Sequence, residues 1–76
     1  MLKSVEKCIK AMSLGYNHFK AGNHRAERFS DGTIAYYYHD TAICVVSKGK
    51  AHYDAGQWAG SPSTTRAINS YKSYYC

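Results

Sequence analysis

The residues from His24 to Asp54 constrain the fold most, because they form short aromatic and β-branched runs separated by turn residues. Such runs are typical of antiparallel strands. Asp31-Gly32 is the strongest turn signal, since a type I′ hairpin turn needs positive φ at both central positions and these residue types tolerate it. The pattern predicts a four-stranded meander. Its strands are expected near Arg25 to Phe29, Thr33 to Tyr38, Thr41 to Val46 and Ala51 to Asp54.

A helix is predicted before this block. Apolar residues recur there at the spacing of one helix face: Leu2, Val5, Ile9 and Met12. Ser4 is the expected N-cap, and Gly15 is the expected point where the helix stops or bends. Tyr16 and Phe19 are expected to continue the apolar face. The tripeptide 21–23, Ala-Gly-Asn, then breaks the pattern.

A second helix is predicted to close the chain. Ser61 is the expected N-cap with Pro62 at the first helical position, and Ser63 is an alternative cap two residues later. One apolar stripe runs along this helix: Ile68, Tyr71 and Tyr75. The sequence therefore predicts one small α+β domain over residues 1–76, an antiparallel sheet of about four strands flanked by an N-terminal and a C-terminal helix.

Length and charge limit the kinds of function. A chain of 76 residues forms one small core, which leaves little room for an enclosed active-site cavity and favours work done on an outer surface. Ten Lys and Arg against five Asp and Glu give a net charge of +5. This charge favours an acidic partner, including a phosphate backbone, although a solvated lysine face explains it equally. Six of the ten lie within the first 28 residues: Lys3, Lys7, Lys10, Lys20, Arg25 and Arg28.

The cysteines and histidines indicate no metal site. Cys8, Cys44 and Cys76 are widely spaced, and no two histidines have ligand spacing. Cys8 and Cys44 are expected to be buried as small hydrophobic side chains. No long apolar run follows the N-terminus, so neither a signal peptide nor a membrane span is expected. The chain is therefore expected to be a cytoplasmic protein with reduced cysteines and without a cofactor.

Catalysis is not expected. His39, Asp40 and Thr41 lie together and resemble an acid–base group. A turn or a side-chain-to-backbone hydrogen bond accounts for Asp40 and Thr41, and a packed imidazole at a strand edge accounts for His39. The simpler structural roles are therefore preferred over an enzymatic one.

Eight tyrosines are present, three of them consecutive at 36–38. Strand alternation sends Tyr37 to the face opposite Tyr36 and Tyr38. Tyrosine on a sheet near Lys and Arg is typical of a base-stacking platform or of a protein-binding hot spot. Alternatively, helices cover both faces. Tyr74 near the C-terminus adds to an exposed tyrosine surface.

The start of the closing helix is a candidate anion site. Helix capping explains Ser61 or Ser63 and Pro62, but it does not explain why Thr64, Thr65 and Arg66 follow them. Backbone amides and hydroxyls at a helix start can bind phosphate when an arginine lies nearby. Trp58 is expected in the core, with an exposed stacking anchor as the alternative.

Four short motifs follow one another in the chain: Asp31-Gly32, Tyr-His-Asp-Thr-Ala-Ile at 38–43, Gly-Gln-Trp at 56–58, and Ser-Thr-Thr-Arg-Ala-Ile-Asn at 63–69. Over about residues 24 to 71 this order resembles a family of very small phage-encoded domains of unknown function. The chain departs from the family pattern at Gln57, where the family has glycine, and by the extra stretch 59–62. The resemblance implies a phage or mobile-element origin and binding to host machinery, as in anti-CRISPR proteins.

The sequence thus predicts a non-catalytic, phage-type inhibitor, anti-CRISPR-like, that binds a host protein or protein–nucleic-acid complex in the host cytoplasm through a basic, tyrosine-rich surface. The alternatives are a small basic nucleic-acid-binding protein and a homodimer. The predicted partner-binding residues are Lys3, Lys7, Lys10, Arg25, Arg28, Tyr37, Arg66 and Tyr74. The anion-binding candidates are Thr64, Thr65 and Arg66.

Overall fold

The computed structural model describes residues 2–56 and 59–75. Its elements in chain order are α1 (Lys3–Ser13), β1 (His18–Ala21), β2 (His24–Arg28), β3 (Ile34–Tyr38), β4 (Thr41–Ser47), β5 (Lys50–Tyr53) and α2 (Pro62–Tyr75). The strands form one antiparallel sheet in the order β1-β2-β3-β4-β5. This confirms the small α+β architecture with a helix at each end, and adds one strand to the four predicted. Trp58 lies outside the described residues, so its predicted burial is not addressed.

The additional strand is β1, which replaces the predicted continuation of the first helix. α1 ends at Ser13, and Gly15 adopts a φ of +94°, as expected for a residue that stops a helix. Tyr16 is then exposed, and Phe19 lies in β1 rather than on a helix. The tripeptide 21–23 contains the two-residue loop that joins β1 to β2, because Ala21 pairs with His24. The residues that were predicted to end the helical pattern therefore form the turn of a β-hairpin.

α1 buries the predicted stripe but lacks the predicted cap. Leu2 is the N-cap residue and makes no side-chain capping bond, so the prediction of Ser4 as the cap is wrong. The backbone N–H of Leu2 instead donates to Oγ of Ser70 in α2 at 3.3 Å, which ties the start of one helix to the other. The buried residues of α1 are Val5, Cys8, Ile9, Ala11 and Met12.

Both helices pack on the same face of the sheet. Ala26 of β2 lies in the core. Arg28 is two residues further along β2 and so lies on the same face, where its guanidinium donates to the carbonyl of Met12 in α1. Ala26 pairs with Tyr36, whose ring centroid lies 4.4 Å from that of Tyr71 in α2. Neither helix therefore lies on the opposite face.

Tyrosines fill the centre of the core. Tyr36 and Tyr71 are fully buried, and the hydroxyls of Tyr36 and Tyr75 share a hydrogen bond. The Tyr71 hydroxyl has no hydrogen-bond partner of good geometry and interacts with the Cys8 thiol. Burial raises the pKa of all three tyrosines and raises the pKa of Cys8 to about 11. The predicted burial of Cys8 and Cys44 is confirmed.

The predicted hairpin at Asp31-Gly32 is present, but its turn type is not I′. Gly32 adopts a φ of +90°, whereas Asp31 does not have a positive φ. The Gly32 N–H donates to the Phe29 carbonyl at 2.9 Å, and the Thr33 N–H donates to Oδ1 of Asp31 at 3.0 Å. Asp31 thus stabilises the turn with its carboxylate, which needs no left-handed backbone. Both loop residues have positive φ in Lys48-Gly49, between β4 and β5.

α2 begins as predicted. Pro62 is its first residue, and the N–H of Thr64 points to Oγ of Ser61 at 3.5 Å, so Ser61 is the cap and Ser63 lies inside the helix. Along the predicted stripe, Tyr71 is fully buried, and Ile68 and Tyr75 are partly buried against the core.

Arg28 connects β2 to the C-terminal end of α1, and its replacement by alanine is expected to destabilise the fold. Its Nη2 donates to the Met12 carbonyl and its Nε to the Tyr16 carbonyl at 3.4 Å. Losing these donors, and a positive charge near a helix C-terminus, should lower the free energy of unfolding by about 1 to 3 kcal/mol. Urea denaturation measures this. Arg66→Ala, at an exposed position of α2, is the control and should change it by less than about 0.5 kcal/mol. Equal effects of the two variants would contradict the capping role.

Candidate partner-binding surfaces

The predicted partner-binding residues are distributed over separate parts of the surface. The structure divides them into an α1 group of Lys3, Lys7 and Lys10, an α2 group of Arg66 and Tyr74, a pair on the sheet formed by Arg25 and Tyr37, and Arg28 at the end of α1. Alternation along β2 and β3 places Arg25 and Tyr37 on the face opposite both helices. A single basic, tyrosine-rich surface built from all eight residues is therefore not formed.

The face without helices presents two cross-strand rows, and we call it the helix-free face. One row consists of His18, Glu27, Ala35, Val45 and His52, and the other of Lys20, Arg25, Tyr37 and Ala42. The apolar side chains lie on β3 and β4 in the middle of the sheet, whereas the charged side chains lie mostly on β1 and β2. The helix-free face therefore combines an apolar centre with a charged margin.

Arg25 and Tyr37 form a cation–π contact on the helix-free face. The guanidinium carbon of Arg25 lies 4.2 Å from the ring centroid of Tyr37. Its Nε lies 3.2 Å from Oε1 of Glu27, although the angles do not make a hydrogen bond, and its Nη1 lies 3.8 Å from Oδ1 of Asp40. Each exposed ion pair contributes little on its own, as does a cation–π contact at a partly exposed site. Together they place the guanidinium over the ring with a carboxylate on two sides.

Two hairpin loops meet at one end of this face. The His39 N–H donates to the Asn23 carbonyl at 2.8 Å, which joins the β3–β4 loop to the β1–β2 loop. His39 is an exposed residue of this loop with a φ of +57°, rather than a strand-edge residue, and its ring contacts that of Tyr38 with centroids 4.4 Å apart. The two loops, with Lys20, Arg25 and Asp40, line a shallow cavity of about 210 Å³. The lining has more basic than acidic groups and is suited to a small acidic group of a partner.

The lysines of α1 form a second exposed group. Lys3, Lys7 and Lys10 are all exposed and, with Glu6, line a shallow groove of about 300 Å³. Glu6 offsets part of their charge. The arrangement allows contact with a phosphate backbone and equally serves as a solvated helix face.

The three anion-binding candidates do not converge. Thr64 is fully buried, with no partner for its Oγ1, so its hydroxyl cannot contact an anion in solvent. It is buried because it occupies the inward side of α2 together with Ala67 and Tyr71. Thr65 and Arg66 are exposed and line an open groove along α2. Only these two remain candidates for anion contact.

A partly exposed apolar patch lies where α1 joins β1, and the sequence predicts no surface role for it. We define the Leu14–Phe19 patch as Leu14, Tyr16 and Phe19. Leu14 is 65 % exposed and Tyr16 is 52 % exposed, whereas Phe19 is half-buried and packs against the core. The rings of Tyr16 and Phe19 meet edge to face with centroids 6.5 Å apart. The signal in the sequence was Gly15, which ends the helix before Tyr16 and so takes both aromatic residues off its buried face.

No metal site or membrane helix is found in the described part of the chain. In residues 2–56 and 59–75, no three His, Cys, Asp or Glu side chains lie together as metal ligands. In the same residues, neither helix is long and apolar enough to cross a membrane. No family model matches the sequence, and no curated protein or solved structure matches the chain.

His24 is expected to make stability depend on pH. It is 8 % exposed, its Nδ1 has no hydrogen-bond partner, and burial, followed by the charge of His39, lowers its pKa. The unfolded chain then binds more protons than the folded one, so stability should fall as the pH decreases below about 6.5. Urea denaturation between pH 7.5 and 5.5 measures this slope. His24→Gln should flatten it, whereas His52→Gln, at an exposed position, should leave it unchanged. The same slope in both variants would rule out His24 as its cause.

Proposed function

We propose that this protein is a small, non-catalytic inhibitor of the phage type, anti-CRISPR-like, that binds a host protein or protein–nucleic-acid complex in the host cytoplasm. We assign the binding to the helix-free face. The observation that carries this assignment is the Arg25–Tyr37 pair, with the guanidinium over the ring, on a sheet face that neither helix covers. The phage origin and the comparison with anti-CRISPR proteins rest on the sequence resemblance alone.

The chemistry of the helix-free face supports a protein partner. Tyr and Arg are enriched among the residues that dominate binding energy at protein interfaces. Arg25 already lies over the Tyr37 ring, with carboxylate oxygens of Glu27 and Asp40 at 3.2 and 3.8 Å, so a partner can contact both side chains without rearranging the pair. Ala42 and Val45 add half-buried apolar area in the middle, and charged residues surround it, which is the usual anatomy of an interface.

A capture experiment with matched double variants tests the assignment. Tagged protein is incubated with nuclease-treated host lysate, and retained proteins are quantified by mass spectrometry. Arg25→Ala/Tyr37→Ala should reduce the retained partner about tenfold or more, because hot-spot truncations cost about 2 kcal/mol or more. Arg66→Ala/Tyr74→Ala removes the same two residue types from exposed positions of α2 and should retain the partner as the wild type does.

Two outcomes would contradict the proposal. One is that nuclease treatment leaves no protein partner on the wild-type chain. The other is that the α2 double variant loses the partner while the Arg25→Ala/Tyr37→Ala variant keeps it, which would place binding on the helix side.

Nucleic-acid binding is the second candidate function, and the exposed lysines of α1 favour it. Lys3, Lys7 and Lys10 lie along one groove, and the chain has a net charge of +5. Phosphates bound by such a surface release counterions, so affinity should fall steeply as salt rises.

A salt titration separates this candidate from the first. Affinity for random duplex and single-stranded DNA is measured between about 50 and 200 mM salt, and each phosphate contact contributes about 0.9 to the slope for duplex and about 0.7 for single strands. Lys7→Gln should reduce the slope by about one, whereas Lys48→Gln, in the β4–β5 loop, should not. Affinity that does not change with ionic strength would exclude nucleic-acid binding through α1.

A further inference from the structure

β1 is an edge strand whose outer side presents unpaired backbone groups. In residues 2–56 and 59–75, no strand pairs with this side. The Arg28 N–H donates to the Asn17 carbonyl at 2.8 Å, and this bond sets the alternation along the β1–β2 pair. Hydrogen bonds to β2 therefore come from Phe19, while the N–H and C=O groups of His18 and Lys20 point outward. Four backbone groups are available for an additional strand.

The Leu14–Phe19 patch lies directly beside this edge. Tyr16 and Phe19 contribute to two adjoining shallow cavities, one flanked by α1 and the other by β1. The two edge strands, β1 and β5, both alternate exposed polar residues with half-buried ones. Native proteins usually protect their sheet edges with charge, and each edge strand here carries an exposed lysine, Lys20 in β1 and Lys50 in β5. Beside β1, Leu14 and Tyr16 add exposed apolar side chains to the open backbone groups.

The charges around the patch define the chemistry of its partner. Lys7, Lys10 and Lys20 line these two cavities, and no acidic residue lines either of them. A second copy of this chain would place lysines against lysines, which disfavours self-association. A nucleic acid would supply negative charge but neither a strand backbone nor alternating apolar groups. An acidic polypeptide supplies all three features.

We propose that the β1 edge binds an extended segment of an acidic partner protein as a sixth strand of the sheet. Backbone hydrogen bonds form with the outward groups of His18 and Lys20, which is strand addition. Side chains of the segment alternate between the two faces. Apolar ones contact the Leu14–Phe19 patch, and acidic ones lie on the side of Lys20. This inference goes beyond the proposed function, since it uses the backbone edge of β1 rather than the side chains of Arg25 and Tyr37, and a different mode of binding.

The probe is a synthetic eight-residue peptide of alternating leucine and glutamate, blocked at both ends. The control probe replaces every glutamate with lysine. Titration of the ¹⁵N-labelled protein is followed by NMR. The glutamate peptide should shift the amide signals of His18 and Lys20 and slow their hydrogen exchange, and it should bind at least tenfold more tightly than the lysine peptide.

Variants at one position separate the backbone contribution from the charge. Lys20→Ala removes the charge and keeps the outward N–H, whereas Lys20→Pro removes both. Lys20→Pro should bind the glutamate peptide about tenfold more weakly than Lys20→Ala, because a partner carbonyl then loses its donor. Leu14 lies outside the sheet, and Leu14→Ser should also weaken binding of the glutamate peptide. If the proline variant does not fold, the affinity of Leu14→Ser tests the proposal in its place.

The following results would overturn the proposal. They are unchanged His18 and Lys20 signals up to the solubility limit of the peptide, equal affinity of the folded proline and alanine variants, equal affinity of the two peptides, and unchanged affinity of Leu14→Ser. Dimerisation through β1 without peptide, detected by sedimentation, would equally overturn it, because the occupant would then be a second copy.

Discussion

The contact between Tyr36 and Tyr71 is the interaction on which the rest of the structure depends. Their ring centroids lie 4.4 Å apart, and both side chains are fully buried. A chain of 76 residues has a small core, so two buried tyrosines supply a large part of it. The hydrogen bond between the hydroxyls of Tyr36 and Tyr75 satisfies a polar group that burial would otherwise penalise. This contact joins the centre of the sheet to the last helix and fixes which face of the sheet is covered.

The exposed surface follows from that choice of face. Because Tyr36 points to the helices, its neighbour Tyr37 must point away from them. Arg25 pairs with Tyr37 in the register, and its guanidinium lies over the Tyr37 ring on the helix-free face. The same alternation explains why the basic residues are separated: those of α1 and α2 lie on the covered side and Arg25 lies on the other. Charge that looks continuous in the sequence is divided by the sheet.

The sequence predicts those elements whose apolar pattern repeats over several turns or strands. It does not predict a single short segment such as β1. The stripe of Val5, Ile9 and Met12 extends over about two helical turns, so its signal was strong. β1 has four residues and only one large apolar side chain, and the Gly-Asn pair that follows fits a helix stop as well as a hairpin. The burial of Thr64 could not be predicted from the sequence either, because its local sequence is typical of an exposed helix start. Packing of α2 against the core is what buries it. The distribution of site residues over faces depends on long-range packing and could not be predicted locally.

The missed strand changes the surface more than the core. With β1 present, the edge of the sheet moves outward from β2, and Lys20 lies directly opposite Arg25. Like charges in opposite positions on neighbouring strands repel. Arg25 has Glu27 and Asp40 close to it, whereas Lys20 makes no ion pair within the described residues. An acidic group gains more beside Lys20 than beside Arg25, because no carboxylate already occupies that position. The edge and the helix-free face therefore adjoin at Lys20, and an acidic partner on either surface relieves the same repulsion.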